Sequence, residues 1–567
     1  MSRMLFGLSL AACVAAPLAA QDRTAAARTM DAPAARVARA IRPDAIWGPL
    51  RFLASDALEG RGTGARGGDL AAQFVASQFM AMGLEPAGDG GTYFHQVPIV
   101  TLVPESQLEV ASGAPERALR FRNDFVLWSE RTPLQPPAGT AAATTQTSEA
   151  TGELIFVGFG ITAPEWQWDD YKGMDVRGKI LLMLVNDPGL RDPDIFRGRT
   201  LTYYGRWTYK LEEAARHDAA GVLMIHNDTM ATYGWSTVRN SWTGDQVRLI
   251  TPPGPLAFGG WLTQNVAAQL LASKGFDLKQ LMNAAARRDF QPVATGISLR
   301  GTVQSAVRFS SAFNVAGRLT GNDPALRDDA VLITGHYDHL GIGQPVNGDS
   351  IMNGALDNAS GVAAILAIAD AFVRTGVRAH RSLVFVAFTG EEKGLLGSGA
   401  FAQRPPMPPG RIAAILNLDV ANLYAPTRDI SALGGDQSSL GAVFERAARA
   451  EGLRVTRDED ALIRGSFFRS DHFPLALVGV PGLSFETGGD AVGHPAGWME
   501  EQKAIYNRER YHQPSDELLP WYTVDGAMQQ ARVLARAAML VGDAPAQPTW
   551  SAGSEFRAAG EARHANR

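Results

Sequence analysis

A chain of 567 residues is longer than one ordinary domain, and its composition, 46% hydrophobic and 20% charged, is that of a globular protein with two or three domains. The formal net charge of −5 is small for this length, and no basic cluster is interleaved with aromatic residues, so a nucleic-acid-binding surface is not expected. Cys13 is the only cysteine, which excludes an internal disulfide and directs any metal site to His, Asp and Glu.

The N-terminus has the pattern of a secretory signal. Arg3 precedes an apolar stretch over 4–16, and small residues follow. We therefore expect a signal peptide over 1–20, cleavage near Ala20 and an exported protein, periplasmic or secreted. The sequence "LAAC" ending at Cys13 resembles a lipoprotein cleavage box, which leaves lipid anchoring as a minor alternative. No later apolar segment is expected to span a membrane.

Two helices with a glycine-rich turn between them are expected next, over 46–88. Apolar residues at helical spacing place the second helix from about Gly68 to Met82, ending near Gly83. Strands follow to about Leu127. The segment "PLQPPAGTAAATTQTSEATG" then has the composition of a linker, and it predicts a domain boundary near residue 145.

The stretch from about 150 to 300 has a different pattern. It alternates strands such as "GKILLMLVND" with the amphipathic helix "YKLEEAARHDAA" and a further strand, "GVLMIHND". His217 in the helix and His226 at the strand end are interpreted as structural, because metal-ligand residue types are not concentrated here. The pattern predicts a separate, smaller α/β unit.

From about residue 305 the chain alternates strand and helix. Unbroken apolar runs such as "SLVFVAF" and "IAAILNL" are typical of buried strands, and "NASGVAAILAIADAFV" is a nearly all-apolar helix. This predicts an α/β fold with a mixed, mostly parallel central sheet and helices on both faces. Ligands of such sheets bind beyond the carboxyl ends of the strands.

Metal-ligand residue types stand at those strand ends. They are His336 and Asp338 after the first strand, Glu391 and Glu392 after "SLVFVAF", Asp419 after the next strand, Asp357 in the loop before the apolar helix, and His512 in "RYHQPSDE". Each alone would suit a structural role, since Asp357 could cap a helix and the two glutamates could be solvated. Their convergence on one sheet edge predicts a metal site, and mixed carboxylates and imidazoles suit zinc, with Mn²⁺ or Co²⁺ as substitutes.

Several of these segments together resemble metallopeptidase family 28, whose members are co-catalytic dizinc aminopeptidases related to glutamate carboxypeptidase and the transferrin receptor ectodomain. The segments are "GHYDHLG", "LDNASG", "TGEEKGLLGS", "LNLD", "SDHFP" and "YHQPSDE". The resemblance covers roughly 45–130 and 300–545. It implies the phosphorylase/hydrolase-like fold of zinc exopeptidases, peptide substrates and two Zn²⁺ per chain.

The resemblance also implies a role for each residue. Asp357 would bridge two zinc ions, with His336 and Asp419 at one ion and Glu392 and His512 at the other. Glu391 would be the general base that activates a metal-bridging water. Neighbouring residues of an extended chain point in opposite directions, so one carboxylate of the pair can bind metal while the other faces the water.

Residues near the motifs receive supporting roles. Asp338 is expected to accept the other imidazole N–H of His336. Tyr511 matches a family position that stabilises the tetrahedral oxyanion, or it packs beside His512. Asp471 and its neighbour His472 are expected to shape the pocket without binding metal. The two other histidines near the motifs, His339 and His494, are expected to be structural or to support the metal ligands from behind.

The unit over 150–300 resembles a protease-associated domain, which usually covers the cleft of such peptidases. The predicted organisation is therefore an N-terminal part of the peptidase domain over 21–145, a protease-associated insert over 146–300, the catalytic zinc peptidase domain over 301–545 and a flexible tail over 546–567. The chain carries no sequence signal of its oligomeric state.

Other activities of the same fold stay open. A carboxypeptidase of the glutamate-releasing type would need a basic cluster for the terminal carboxylate of its substrate, and Arg469 is one candidate. A glutaminyl cyclase-like enzyme uses a single zinc and usually lacks the insert. A receptor-like binding protein without catalysis would have lost metal ligands or the base, all of which are present here.

Overall fold

The computed structural model describes residues 32–112, 119–134, 144–252 and 254–565. The predicted signal peptide and Cys13 lie outside the described residues. The strands are β1 Glu85–Pro86, β2 Phe94–Ser112, β3 Phe125–Ser129, β4 Thr144–Phe156, β5 Thr162–Ala163, β6 Trp168–Asp169, β7 Ile180–Leu184, β8 Gly221–His226, β9 Gln246–Leu249, β10 Phe258–Thr263, β11 Val293–Leu319, β12 Ala330–His336, β13 Gly341–Val346, β14 Asp349–Met352, β15 Ser382–Phe388, β16 Ile412–Asn417, β17 Asp429–Leu433, β18 Arg454–Val455 and β19 Gly482–Thr487.

The helices begin with α1 over 32–40. They continue as α2 Pro43–Leu53, α3 Arg66–Met82, α4 Trp207–Arg216, α5 Asp228–Ala231, α6 Trp235–Trp242, α7 Gln264–Ala272, α8 Leu278–Ala285, α9 Ser360–Thr375, α10 Leu396–Gln403, α11 Leu440–Ala450, α12 Glu459–Ile463, α13 His472–Leu477, α14 Trp498–Glu509, α15 Asp525–Gly542 and α16 Arg557–Ala565. The predicted end of α3 is confirmed, since Gly83 closes it with the positive φ of 76° that glycine adopts readily.

One large sheet runs through the molecule in the order β18-β17-β19-β16-β12-β15-β11-β4-β7-β8-β10-β3. In its C-terminal half β19, β16, β12 and β15 are parallel, while β17 and β11 pair antiparallel at either side of them. The predicted fold class, a mixed and mostly parallel sheet between helices, is confirmed.

Helices cover both faces of this half because successive strand residues point to opposite sides. In β12, Val331 and Ile333 pack in the large core formed with α2, α3, α9 and α15. Leu332 packs on the other face with Phe401 of α10 and Leu475 of α13. The unbroken apolar run of this strand is therefore explained by burial on both sides.

A second core lies under the other half of the sheet and contains most of the apolar side chains between residues 108 and 303. The antiparallel pair β2 and β11 joins the two halves, with Phe94 opposite Val315 at one end and Ser112 opposite Ser298 at the other. The chain thus enters the second core along β2, before the predicted boundary at 145. Polar and apolar residues alternate in both strands, so composition alone did not predict how long the strands are.

Two of the sequence predictions are corrected here. The linker expected around residue 145 is in part strand β4, whose alternating Thr and Ser residues pair through the backbone with β11. The tail expected to be flexible is packed over most of its length: Trp550 donates to the carbonyl of Gly479 at 2.9 Å, and Phe556 is 3% exposed. These two rings supply enough apolar area to hold the tail against the second core.

The segment Ala355–Thr375 is long and apolar enough, by length and composition, to cross a membrane, although no segment of that length was expected. Within the protein, 89% of its most apolar window is buried. It contains α9, which packs against the sheet and against α2 and α15. The turn before α9 carries Asp357 to the edge of the sheet.

Candidate metal centre

The predicted ligands come from elements that end at the same level. His336 is the last residue of β12 and pairs with Phe388, the last residue of β15, while Thr334 pairs with Asn417 at the end of β16. Glu391 and Glu392 follow β15 within a few residues, and Asp419 follows β16. The loops after β14 and α14 bring Asp357 and His512 to the same edge. Because these strands end at the same level, residues 83 positions apart in sequence, such as His336 and Asp419, come into contact.

Asp357 lies between two imidazoles. Its Oδ1 is 3.2 Å from Nε2 of His336, and its Oδ2 is 3.4 Å from Nε2 of His512. Each imidazole has a second carboxylate neighbour: Asp419 Oδ1 lies 3.2 Å from His336 Nε2, and Glu392 Oε2 lies 3.1 Å from His512 Nε2. The five predicted ligands therefore form two sets of donors that share one carboxylate.

The spacing of these donors fits a metal. Zinc bonds of about 2.0–2.2 Å in a tetrahedral arrangement separate neighbouring donor atoms by about 3.3–3.6 Å. The four separations around Asp357 span 3.1–3.4 Å. Three groups of His, Asp and Glu, including His336 with Asp357 and Asp419, bring their ligand atoms within 4.8 Å of one another. Imidazole nitrogens mixed with carboxylate oxygens are a donor set that zinc accepts.

The charges of the cluster point the same way. Burial by itself would lower the pKa of His512, but hydrogen bonds to Asp357 and Glu392 raise it to about 10. Burial also opposes ionisation of Asp357, yet the two imidazoles hold the pKa of its carboxyl well below the usual range. The field at this point stabilises positive charge strongly, which is the field that a bound cation requires.

Glu391 and Glu392 have different surroundings, as their predicted division of roles requires. Glu392 is held between His512 and His339, whose Nδ1 lies 2.6 Å from its Oε1. Within the described residues no hydrogen bond reaches the carboxylate of Glu391, which lies close to His336 and Glu392. Burial and then neighbouring carboxylates raise the pKa of Glu391 well above its usual value, although His336 opposes them. Of the two neighbouring carboxylates, Glu391 is thus the one that no hydrogen bond of the described residues holds.

The expected partner of His336 is corrected in one detail. The carboxylate of Asp338 is 3.7 Å from Nδ1 of His336, whereas the main-chain carbonyl of Asp338 is 3.1 Å away and accepts the hydrogen bond. The carboxylate accepts instead from the hydroxyl of Thr63 at 2.8 Å and from the backbone N–H of Glu391 at 3.2 Å. Asp338 therefore contacts both His336 and Glu391, the first through its main-chain carbonyl and the second through its carboxylate.

The other predicted residues lie around the cluster. Asp471 is buried and accepts from Ser398 Oγ at 2.6 Å, and burial raises its pKa to about 7. His472 packs against Phe467 away from the cluster, with ring centroids 4.6 Å apart, and His494 stacks on Trp498. Tyr511 is 46% exposed and stacks on the ring of His512 at 3.8 Å.

Sequence reasoning missed two residues that hold this site. Asp516 accepts from the backbone N–H groups of Leu356 and Asp357, each at 3.1 Å, and so fixes the loop that carries Asp357. Arg61 is fully buried and donates from Nε to the carbonyl of Tyr337 at 2.7 Å and from a terminal nitrogen to Gly354 at 2.8 Å. The acid four residues after His512 was a visible signal for Asp516, whereas Arg61 is far away in sequence.

Comparison with known proteins agrees with this geometry. Residues 314–535 match the model of peptidase family M28. A probable zinc metalloprotease of Pyrenophora tritici-repentis is 27% identical over 256 residues, 39% of this chain and 55% of its own length. A probable leucine aminopeptidase 2 of Aspergillus fumigatus is 26% identical over 230 residues, 38% of this chain and 42% of its own length. These matches span about half of each curated relative.

Among solved structures, an aminopeptidase from Aneurinibacillus sp. strain AM-1 covers 91% of this chain and 97% of its own, with 18% identity and a TM-score of 0.47. The matched segment 314–535 contains every strand end of the metal centre and all five predicted metal ligands. The segment over 314–535 therefore matches peptidase family M28.

Proposed function

We propose that the chain is a zinc-dependent aminopeptidase that removes N-terminal residues from peptides. The observation that supports this most directly is the position of Asp357, with one carboxylate oxygen toward His336 and Asp419 and the other toward His512 and Glu392. These five side chains would hold two zinc ions, with Asp357 contributing to both.

When bound, the zinc ions would polarise the scissile carbonyl and favour ionisation of the attacking water. Glu391 then takes the proton of that water and delivers it to the leaving amine, because its carboxylate has no other partner in the described structure. Asp338 keeps the backbone of Glu391 in place through the 3.2 Å hydrogen bond to its N–H.

Tyr511 is proposed to donate its phenol proton in a hydrogen bond to the oxyanion. Desolvation in the cleft and then the charges of Asp357 and Glu392 raise the pKa of Tyr511 well above its usual value. The phenol therefore stays protonated at neutral pH and can donate. Its stacking on His512 at 3.8 Å fixes the direction of the ring.

The signal pattern at the N-terminus leads us to propose an exported enzyme. The half of the molecule with the second core, which resembles a protease-associated domain, is proposed to restrict access to the cleft. Its loop before α4 packs against the segment over 462–469, next to the metal centre.

The proposed activity is tested with Leu-Gly-Gly and its N-acetylated form, using purified zinc-loaded protein and analysis of the products. We expect leucine and Gly-Gly from the free peptide and no reaction of the acetylated one. Release of glycine from the acetylated peptide would show a carboxypeptidase instead. Turnover of neither peptide by a zinc-loaded protein would contradict the proposal.

A further inference from the structure

Glu392 is in contact with a histidine that is not among the five predicted ligands. Nδ1 of His339 lies 2.6 Å from Oε1 of Glu392, and the two side chains are 0% and 3% exposed. The other oxygen of this carboxylate, Oε2, lies 3.1 Å from Nε2 of the predicted ligand His512. The two oxygens of Glu392 therefore have different partners, and Oε2 is the one directed toward another predicted ligand.

The distance between His339 and Glu392 is that of a hydrogen bond. Two ligand atoms on one tetrahedral zinc ion lie about 3.3–3.6 Å apart, whereas a charge-assisted N–H···O bond is about 2.7–2.9 Å long. The observed 2.6 Å matches the second case. An ionised carboxylate can only accept, so Nδ1 of His339 carries the proton and donates to Oε1. His339 can therefore hold Glu392 without binding the metal, although both lie in one group of possible ligands with Asp357.

The ring of His339 is fixed by segments that are distant in sequence. Its backbone N–H donates to the carbonyl of Arg61 at 3.1 Å. Gly354 packs against the ring from the other side, where a Cβ would come within 2.6 Å of the imidazole Cγ, so only glycine leaves room for it. Within the described residues Nε2 of His339 is buried without a hydrogen-bond partner. The hydrogen bond to Glu392 is thus the one that this rigid ring makes there.

The other half of the centre is supported by a different donor. Oδ1 of Asp419 lies 3.2 Å from Nε2 of His336, and its Oδ2 accepts from the hydroxyl of Ser470 at 2.8 Å. Glu392 and Asp419 thus each have one oxygen at the centre and the other held from behind. His339 follows β12 and Ser470 precedes α13, so the two supports can be changed separately.

We propose that His339 is a positioning residue that sets the affinity of the centre for one of its two zinc ions, the ion held by Glu392 and His512. The hydrogen bond keeps Oε2 of Glu392 directed toward that ion and restricts rotation of the carboxylate. A donor of this kind behind a metal ligand is worth about 10- to 100-fold in metal affinity. The inference rests on the proposed two-zinc centre and adds a separate support for each ion.

Zinc affinity tests the proposal by competition between metal-free protein and a chromophoric chelator. His339→Phe and His339→Leu remove the donor, and we expect each to bind one zinc ion about 10- to 100-fold more weakly and the other within about 3-fold of wild type. His339→Asn places an amide N–H near the position of Nδ1, so both ions should stay within about 3-fold of wild type. His472→Phe is the matched control, a second fully buried imidazole packed against Phe467, and should change neither affinity.

A second variant identifies the ion that His339 supports. Ser470→Ala removes the hydroxyl that holds Asp419, so it should weaken the binding of one zinc ion and leave the other tight. If His339 and Ser470 support different ions, the double variant His339→Phe with Ser470→Ala binds both ions weakly. One tightly bound ion left in the double variant would show that both residues act on the same ion, which would overturn the inference.

The remaining outcomes separate this inference from the proposed function. Unchanged affinities in His339→Phe and His339→Leu would overturn it, and so would equal weakening of both ions, the result of a general structural role. A loss in His339→Asn as large as in His339→Phe would show that the N–H donor is not what matters, and would also overturn it. The predicted affinities support the inference even if the wild-type protein does not cleave Leu-Gly-Gly, whereas wild-type protein that binds fewer than two zinc ions would overturn both the centre and its support.

Discussion

Replacing Arg61 by methionine should destabilise the protein and loosen the metal centre, although Arg61 touches no predicted ligand. The guanidinium is fully buried and donates to four main-chain carbonyls, those of Tyr337, Leu53, Asn353 and Gly354. Tyr337 follows His336, and Gly354 lies three residues before Asp357. Arg61 thus ties the N-terminal segment to both ends of the site.

The magnitude follows from the carbonyls that methionine leaves without a donor. A buried acceptor without a partner costs about 1–3 kcal/mol, and partial relaxation makes four of them less than additive. Loss of the buried apolar contact is small, because methionine has a similar length. We expect the free energy of unfolding to fall by about 3–5 kcal/mol, at the upper end of single substitutions.

Urea unfolding followed by circular dichroism measures this change, and zinc content after dialysis measures the effect on the site. Arg66→Met is the matched control in the same segment, since Arg66 is 69% exposed and its ion pair is with Glu59. Such a pair is worth about 1 kcal/mol or less. Equal stability and equal zinc retention of the two variants would refute the reasoning.

Three further predictions concern the site and its surroundings. Asp357→Ala should lose zinc together with activity, because both donor sets share this carboxylate; retention of two zinc ions by elemental analysis would remove its bridging role. Tyr511→Phe should lower kcat by about 10- to 100-fold with little change in zinc content, and an unchanged kcat would leave only a packing role. His472, a buried imidazole packed against Phe467, has its pKa lowered from 6.5 to about 3 by burial, so the unfolded chain binds a proton at this residue first as the pH falls below 6.5. Relative to His472→Phe, wild-type stability should therefore fall by about 2 kcal/mol between pH 7 and pH 5, and parallel pH profiles of the two proteins would contradict the assignment.

The metal centre could be predicted because its ligands follow elements with strong local signals. The apolar runs that end at His336 and before Glu391 define strands by themselves, and parallel strands bring their carboxyl ends together. Once the strand ends were placed, the residue types of Asp419 and Asp357 were sufficient to predict the site. The division into two donor sets around Asp357 came from the resemblance to metallopeptidase family 28, since the order of the strands does not place His512, which follows α14.

The features that could not be predicted depend on contacts between distant segments. No local sequence pattern reveals the role of Arg61, because one of its four acceptors is eight residues away and the other three are 276 or more residues away. β2 and β11 run between the two cores because they pair with each other. The two strands are polar on one side and about 200 residues apart, so the sequence gives no local sign of this pairing. The hydrogen bond from Leu201 to Leu462 likewise forms only because the loop before α4 packs on the catalytic half.

The central claim is that Glu391 acts as the base beside a zinc centre built by the other residues. Zinc content and turnover of Leu-Gly-Gly, measured on the same preparations of wild-type and Glu391→Gln protein, test it most directly. We predict two zinc ions per chain in both proteins and a loss of turnover of about 10²- to 10⁴-fold in the variant. Near wild-type turnover of Glu391→Gln, or loss of zinc from it, would contradict the assignment of the base.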